Sequence, residues 1–224
     1  MPTAHQDALA KEDTRVLDPV ERVSEVLFGL IMVLTFTGSL SVATAGRADI
    51  SEMLYGAIGC NLAWGIVDAV MYVMNRVLSR GRSLVVLRAL RQTTDAAHAR
   101  AVISRAVNPH VASLLRPSVF EIVREDLLKA PEPPARPPLI ADDVRGALGV
   151  FLLVFLSTFP VVIPFLLIGD PATALRASNT VAVVMLFAAG YSLGRHSGLR
   201  PWLVALAMAV LGAALVALTI ALGG

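Results

Sequence analysis

The amino-acid sequence predicts an all-α, polytopic membrane protein with five transmembrane helices and a three-helix cytosolic insert between the second and third. Three observations lead to this prediction. Hydrophobic residues make up 56% of the chain and charged residues only 16%, against about 25% in soluble domains. Five apolar segments are each long enough to cross a hydrocarbon core of ~30 Å. Lys and Arg cluster in the segments that this topology places in the cytosol.

The N-terminal residues lead into the first predicted span. Residues 1–18 are polar, carry both signs of charge and lack the apolar core of a signal peptide, so we interpret them as a cytosolic tail. Asp18 can cap a helix that begins at Pro19, and Glu21 can complete a capping box. No charge occurs from Val26 to Gly46. This stretch is the first of two transmembrane helices predicted within residues 19–75.

The second predicted span, Met53–Met74, is apolar but contains Asn61 and Asp68. The turn before it, Gly46–Asp49, is short, so the two helices should run antiparallel. A carboxylate near the centre of a span costs roughly 2.5–3.5 kcal/mol on insertion scales, and such residues are usually paired or functional. Asn61, Asp68 and Tyr72 fall near one stripe of the helix. This stripe is the first candidate for a functional site.

Residues 76–140 are rich in arginine and are predicted to form a cytosolic helical insert. Three helices are expected, at Ser83–Arg91, Asp95–Val107 and Ser118–Ala130. Ser118 and Glu121 can form a capping box at the start of the last one. The Pro-rich segment 131–138 cannot be helical and is expected to form an extended strap leading back to the membrane.

Residues 141–224 are predicted to contain the last three spans. Asp142 or Asp143 is expected to cap the third span, Gly146–Ile168, and Pro160 with Pro164 should kink or break it. The fourth and fifth spans are predicted at Ala177–Gly194 and Pro201–Leu222. In the fifth, alanine recurs at every fourth position, which predicts a ridge for close helix packing. The ridge consists of Ala205, Ala209, Ala213, Ala217 and Ala221.

The distribution of positive charge predicts the orientation. If the N-terminus and residues 76–145 are cytosolic, only Arg47 and Arg176 of the 19 Lys and Arg residues lie outside. An excess of Lys and Arg is typical of the cytosolic loops of membrane proteins. We therefore expect an integral, multi-pass membrane protein with its C-terminus outside.

Two acidic residues are the main candidates for a functional site between the first two spans. Glu25, at the cytosolic mouth of the first span, should lie at a level similar to Asp68 near the end of the second. The two carboxylates could share a cation or a proton. The alternatives are a buried Asp68 that is hydrogen-bonded to neighbouring polar groups, and a Glu25 that is paired with Arg22 or Arg76.

The other candidate residues are expected to play smaller parts. Asn61 and Tyr72 belong to the polar stripe, although Asn61 can equally hold helices together. Met32 and Met71 offer thioether ligands, or serve only in packing. In the insert, Glu121 and Glu125 could bind metal on one helical face, although a solvated charged face is the simpler interpretation.

Several function classes are not supported by the sequence. No nucleophile elbow, zinc-protease motif or phosphate-binding Gly loop occurs, so we do not expect an enzyme. The net charge of +2 is too small to indicate a nucleic-acid partner. The single cysteine, Cys60, cannot form a disulfide within the chain. No cofactor is firmly implied, and a divalent metal ion enters only as a possible substrate.

The order of two spans, a three-helix insert and three spans resembles the vacuolar iron transporter (VIT) family. The segment Phe159–Phe165 looks like the Pro-rich third span of that family. Gly29-Leu30 followed by Thr35–Gly38 is similar to its first span, and Tyr72 occupies the position of a family tyrosine. The resemblance implies proton-driven export of iron or manganese from the cytosol, through the interface of a homodimer.

The sequence departs from the family pattern at the expected ligands. Phe28 stands where the family has a membrane aspartate, and Val67, beside Asp68, stands where it has a methionine. The first two insert helices contain no glutamate, whereas those of the family carry repeated metal-binding glutamates. Two hypotheses follow: a dimeric divalent-cation transporter with an acidic site between its first two helices, or a transport-inactive relative that acts as a membrane scaffold or interaction protein through its insert.

Overall fold

Helices account for every regular element in the described part of the chain. The computed structural model describes residues 17–38, 47–93, 95–107 and 109–221, so the tail up to residue 16 lies outside the described residues. The helices are α1 Pro19–Gly38, α2 Arg47–Gln92, α3 Ala96–Ala106, α4 Pro109–Leu114, α5 Pro117–Lys129, α6 Ala141–Ser157, α7 Phe159–Leu167, α8 Pro171–His196 and α9 Pro201–Ala221. They form two compact units, one from the described residues up to Tyr72 and from Asp142 onward, and one from Val73–Ala141.

Four helical stretches are long and apolar enough to cross a membrane. They are Ile50–Gln92, Ala141–Leu167, Pro171–His196 and Pro201–Ala221. Helix α1 is not among them, because Glu21, Arg22 and Glu25 occupy its first turns and its described residues end at Gly38. The predicted all-helical membrane class is therefore confirmed, while the five-span topology stays a prediction.

The start of α1 has the predicted local structure. The amide N–H of Val20 donates to Oδ1 of Asp18 at 2.8 Å, and the N–H of Asp18 donates to Oε2 of Glu21 at 3.0 Å. These reciprocal bonds make a capping box. The predicted turn at Gly46–Asp49 is partly wrong, since α2 already begins at Arg47, and the preceding residues 39–46 lie outside the described residues.

Proline breaks the third predicted span, as expected. Helix α6 ends at Ser157 and α7 begins at Phe159, with Thr158 between them and Pro164 inside α7. Proline lacks an N–H and crowds the preceding turn. Asp142 and Asp143 do not cap α6, because the helix begins one residue earlier, at Ala141, and both lie within its first turn.

Helix α1 contributes more side chains than any other helix to the main buried cluster of the membrane unit. Four of its apolar side chains are buried against α2, α7 and α8, in a cluster of Leu27, Leu30, Val33, Leu34, Ala57, Val161, Val162, Ala182 and Leu186. Burial of these side chains holds the N-terminal helix among the later spans, although its sequence begins with charged residues.

Helix α8 is longer than its predicted core, because Asp170 caps it and Pro171 begins it. Glycines let α8 and α9 approach closely. A Cβ at Gly190 would lie 2.8 Å from Cγ of Met208, and one at Gly212 would lie 2.6 Å from Cδ1 of Leu186. The packing face of α9 thus includes Gly212, whereas the later members of the predicted alanine ridge, Ala213 and Ala217, are exposed.

The unit Val73–Ala141 differs in detail from the predicted insert. Its first predicted helix, Ser83–Arg91, is the continuous end of α2. Asp95 caps α3, accepting from the N–H of Ala97 at 3.0 Å and of His98 at 3.2 Å. The short helix α4 was not predicted. A small core joins the helices through Leu90, Ala99, Ile103 and Phe120.

The capping box predicted at Ser118 and Glu121 is wrong. Helix α5 begins one residue earlier, at Pro117, and its cap residue Arg116 makes no side-chain capping bond. The fixed φ of proline suits the first helical position and sets the start here.

The strap, residues 131–138, is not helical, as predicted. Arginines of the same unit hold its carbonyl groups. Nη2 of Arg88 donates to the oxygens of Pro134 and Ala135, both at 2.8 Å, and Nη1 of Arg80 donates to that of Pro138 at 3.0 Å. Nη2 of Arg91 donates to the oxygens of Ala130 and Pro131.

Candidate functional site

One stripe of α2 faces the interior of the membrane unit. Its buried residues there are Ala57, Asn61 and Gly65, at every fourth position, while side chains between them such as Leu62 and Trp64 are exposed. Gly65 permits close packing, since a Cβ there would lie 3.2 Å from the carbonyl oxygen of Phe151. The stripe therefore carries the predicted polar residues into the helix bundle.

Asn61 is fully buried and joins three segments. Its Nδ2 donates to the carbonyl oxygen of Gly29 on α1 at 3.2 Å and to Oγ1 of Thr158, the residue between α6 and α7. Its Oδ1 is buried and has no hydrogen-bond partner among the described residues. A buried acceptor without a donor is costly, so the amide both holds the helices together and leaves one oxygen available to a ligand.

Asp68 lies two turns beyond Asn61 on the same side of α2. The residue is half-buried, and its Oδ2 is inaccessible to solvent and lacks a hydrogen-bond partner within the described part of the chain. A carboxylate oxygen removed from water without a donor is unfavourable, and a bound cation or proton would relieve this cost.

Glu25 completes an acidic group with Asp68. It is half-buried on α1, and the negative charges of Asp68 and Glu21 both act on it. The structure thus brings Glu25 and Asp68, from two helices, into one electrostatic environment. Repulsion between like charges favours the uptake of a proton or a cation by such a group.

The remaining candidates of the membrane unit differ in their burial and contacts. Tyr72 is half-buried and packs on α6, where a Cβ at Gly146 would lie 2.5 Å from its Cζ. Met32 is half-buried on α1, and the Met71 side chain is 48% exposed. Met71 is therefore accessible from outside the single chain, not enclosed with Asp68.

Sequence reasoning missed Thr158 and Gly29 as partners of the stripe. Thr158 is 1% exposed and sits where Pro160 interrupts the helix. A hydroxyl residue just before a proline-induced break was the available signal, because breaks free polar groups for other partners. Gly29 gave no such signal, since its carbonyl belongs to the backbone.

The acidic residues of α5 are paired with basic side chains. Glu121 lies 3.8 Å from Arg100 and 3.5 Å from Arg124, and Glu125 lies 3.9 Å from Lys129. In the described residues, no group of three or more His, Cys, Asp or Glu is arranged to hold a metal ion. The surroundings of Glu121 and Glu125 are those of a solvated, charged helix face.

Comparison with known proteins identifies one family. A model of the VIT family matches residues 78–224, the greater part of the chain. The match covers the insert and the later spans and begins after Asp68, so the acidic group lies before the matched segment. No curated protein is significantly similar to the chain.

Proposed function

Because the chain belongs to the VIT family of membrane metal-ion transporters, we propose that it exports a divalent cation, iron or manganese, from the cytosol in exchange for protons. The chain is an integral, multi-pass membrane protein. The observation that supports the finer proposal is Oδ2 of Asp68, which has no hydrogen-bond partner among the described residues and whose carboxylate acts electrostatically on Glu25.

In the proposed path, oxygen atoms are the main ligands of the cation. Carboxylate and amide oxygens suit hard divalent cations such as manganese, and Asp68, Glu25 and the free Oδ1 of Asn61 supply them. The phenol of Tyr72 and the thioethers of Met32 and Met71 would act next to this group. Alternate loading of the carboxylates with a metal ion or with protons would couple the two fluxes.

We further propose that the transporter is a homodimer. In the single chain, α2 exposes a stripe of apolar side chains beside the acidic group, among them Ile66 (53% exposed) and Val70 (54% exposed). A second copy related by a two-fold axis would cover this stripe together with Met71 and the open side of Asp68. Mass measurement in nanodiscs should give two chains per particle. A single chain at every protein concentration would contradict the dimer.

Transport through Asp68 is tested by the substitution Asp68→Asn. The amide keeps the shape of the side chain but cannot bind a cation by charge, so flux of iron or manganese into proteoliposomes should fall to that of protein-free liposomes. Thermal stability should be equal or higher, because the substitution removes a carboxylate oxygen that has no hydrogen-bond partner in the part of the chain that the structure describes.

Asp126→Asn is the matched control. It removes the same charge from an exposed residue of α5 that lies 3.9 Å from Lys129, and its flux should equal that of the wild type. Equal flux in the wild type and in Asp68→Asn would exclude Asp68 from the mechanism.

The alternative is a transport-inactive scaffold, and one contact favours it. Phe28, at the position of the family's membrane aspartate, packs edge-to-face against Trp64 with ring centroids 5.6 Å apart. An aromatic pair thus occupies a place where the resembled family has a ligand, and Glu121 and Glu125 of α5 are paired with cations. Absence of metal flux in the wild type, with a folded protein and an intact insert, would favour this function.

A further inference from the structure

A groove of about 480 Å³ lies in the membrane unit, apart from the acidic group. It runs between α1, α6 and α8. This volume is within the range of about 300–1,000 Å³ typical of small-molecule sites. Its walls are Pro19, Arg22, Val23, Val26, Leu153, Met185, Ala188, Ala189, Ser192 and His196.

The groove is polar at one end and apolar along the rest. Arg22 lies near the N-terminus of α1, and Ser192 and His196 lie near the C-terminus of α8, so these polar residues meet at one end. Farther along both helices the walls are aliphatic, with Val26 and Met185 among them. The polarity therefore changes along the groove as it does along a phospholipid, from headgroup to acyl chain.

The cationic end has free hydrogen-bonding capacity. Arg22 is exposed, always charged, and its side chain has no ion pair among the described residues. Nδ1 of His196 lies 2.8 Å from the carbonyl oxygen of Ser192. Because a carbonyl only accepts, Nδ1 carries the hydrogen, and Nε2 remains for another partner.

Carboxylates flank Arg22 in the sequence, but they do not form the wall of the groove. No Asp or Glu is among the described residues that line the groove. Glu21, the neighbour of Arg22, accepts the N–H of Asp18 at 3.0 Å in the capping box, and the surroundings of Glu25 include Asp68. The groove thus ends at a guanidinium that has no ion pair within the described part of the chain, at the start of a helix that packs among membrane spans.

We propose that this groove binds one anionic phospholipid of the surrounding bilayer, with its phosphate at Arg22 and His196 and one acyl chain along Val26, Leu153 and Met185. The positive charge of Arg22 favours an anionic headgroup. The aliphatic walls of the groove contact the acyl chain in place of neighbouring lipids. The site is distinct from the acidic group and does not depend on whether the protein transports a metal.

The test is native mass spectrometry of the full-length chain with phosphatidylglycerol or phosphatidylcholine of identical acyl chains. The wild type should retain one phosphatidylglycerol per chain in preference to phosphatidylcholine. Arg22→Gln should reduce this retention roughly fivefold, as expected for one cation at a lipid surface. Arg195→Gln, which removes an exposed cation next to His196 but outside the groove, should leave it unchanged.

The acyl-chain half of the groove is tested by filling it. Ala188 is a wall residue that is exposed in the structure, so Ala188→Phe should reduce retention of the lipid without preventing folding. Val184→Phe places the same side chain one turn away, at a position that is 60% exposed and not part of the wall, and is the control.

Four results would overturn the proposal. Equal retention of both lipids would remove the headgroup selection. A loss of phosphatidylglycerol retention in Arg195→Gln as large as that in Arg22→Gln would mean that the lipid is attracted nonspecifically to the positive surface. Dissociation of a dimer by Ala188→Phe, without a change in bound lipid, would assign the groove to a second copy of the chain. Retention of inorganic phosphate as strong as that of phosphatidylglycerol would mean that the acyl chain does not contribute to binding.

Discussion

At the scale of single residues, the packing of the membrane unit depends on glycines at close helix contacts. Gly29 supplies the carbonyl that Asn61 binds, at a distance of 3.2 Å. The same glycine lies against the end of α6, where a Cβ would be 2.7 Å from the carbonyl oxygen of Val154. Close contact and polar contact therefore coincide at one position of α1.

We expect Gly29→Ala to destabilise the protein by about 1–3 kcal/mol, the usual cost of overpacking. The added methyl group meets backbone that cannot move independently of α6. Thermal unfolding in detergent measures the loss, and flux measures whether the acidic group is disturbed with it.

Gly59→Ala on α2 is the matched control. A Cβ there has no neighbour within 4 Å, so the substitution should raise stability by roughly 0.5–1 kcal/mol through the higher helix propensity of alanine. A similar loss of stability in both variants would mean that contact with Val154 is not the cause.

The polar residues of the candidate site illustrate what sequence can predict. The stripe of Asn61 and Asp68 follows from helix periodicity alone, and its inward direction at Asn61 agrees with the structure. The partners of Asn61 do not follow, because they are 32 and 97 residues away. Their positions depend on the packing of helices, which local spacing does not encode.

At the scale of elements, helix boundaries are set by capping residues and by proline. Asp170 accepts from the N–H of Thr173 at 2.9 Å and from its hydroxyl at 2.5 Å. These bonds, the hydroxyl first, lower the pKa of the Asp170 carboxyl below its ordinary value. A cap of this kind fixes the first turn of α8 between two apolar stretches.

A depressed folded-state pKa gives a definite pH dependence. The ionised cap stabilises the protein above the ordinary pKa of Asp, and this contribution is lost as the pH falls through the lower, folded-state value. Asp170→Asn keeps a capping side chain without the charge. It should melt below the wild type at neutral pH, and the difference should disappear in acid.

Thr173→Val separates the two hydrogen bonds of this cap. It removes the hydroxyl but keeps the amide N–H, so its melting temperature should fall between those of the wild type and Asp170→Asn at neutral pH. A difference between wild type and Asp170→Asn that does not change with pH would contradict the assignment.

The errors in element prediction have physical causes. The polar residues after Arg76 suggested a helix end, yet nothing there breaks a helix except Gly81, whose cost of about 1 kcal/mol is tolerated. The prediction of an alanine packing ridge along α9 is partly wrong for a geometric reason. A step of four residues turns about 40° beyond a full circle, so Ala205 is buried while Ala213 and Ala217 are exposed.

At the scale of the whole molecule, membrane class follows from composition, but topology needs more. The five-span prediction depends on α1, whose apolar side chains are buried in the core and whose first turns are charged. The sequence predicts a span here from the uncharged stretch Val26–Gly46, of which residues 39–46 lie outside the described residues. Orientation still depends on the asymmetry of positive charge.

Accessibility of single cysteines tests the topology. In a chain with Cys60 replaced, cysteines at Arg100 and Ala135 should react only with a reagent that reaches the cytosol, because the positive charges of this region favour the inside. A cysteine at Gly224 should react only from outside. Reaction of position 224 from the cytosol would exclude five spans, and the same protein without any cysteine is the control for background labelling.

The strap has a consequence for engineering. Prolines offer carbonyl oxygens but no N–H, so the segment cannot pair with itself and takes its donors from guanidinium groups. Arg88 and Arg91 each donate to two consecutive carbonyl oxygens. These bonds fix which residue of the strap lies opposite each arginine. An exposed, irregular link is ordinarily a permissive place for an inserted tag. Here a substitution at Ala135 leaves the carbonyls in position, whereas even a one-residue insertion would shift them past their donors.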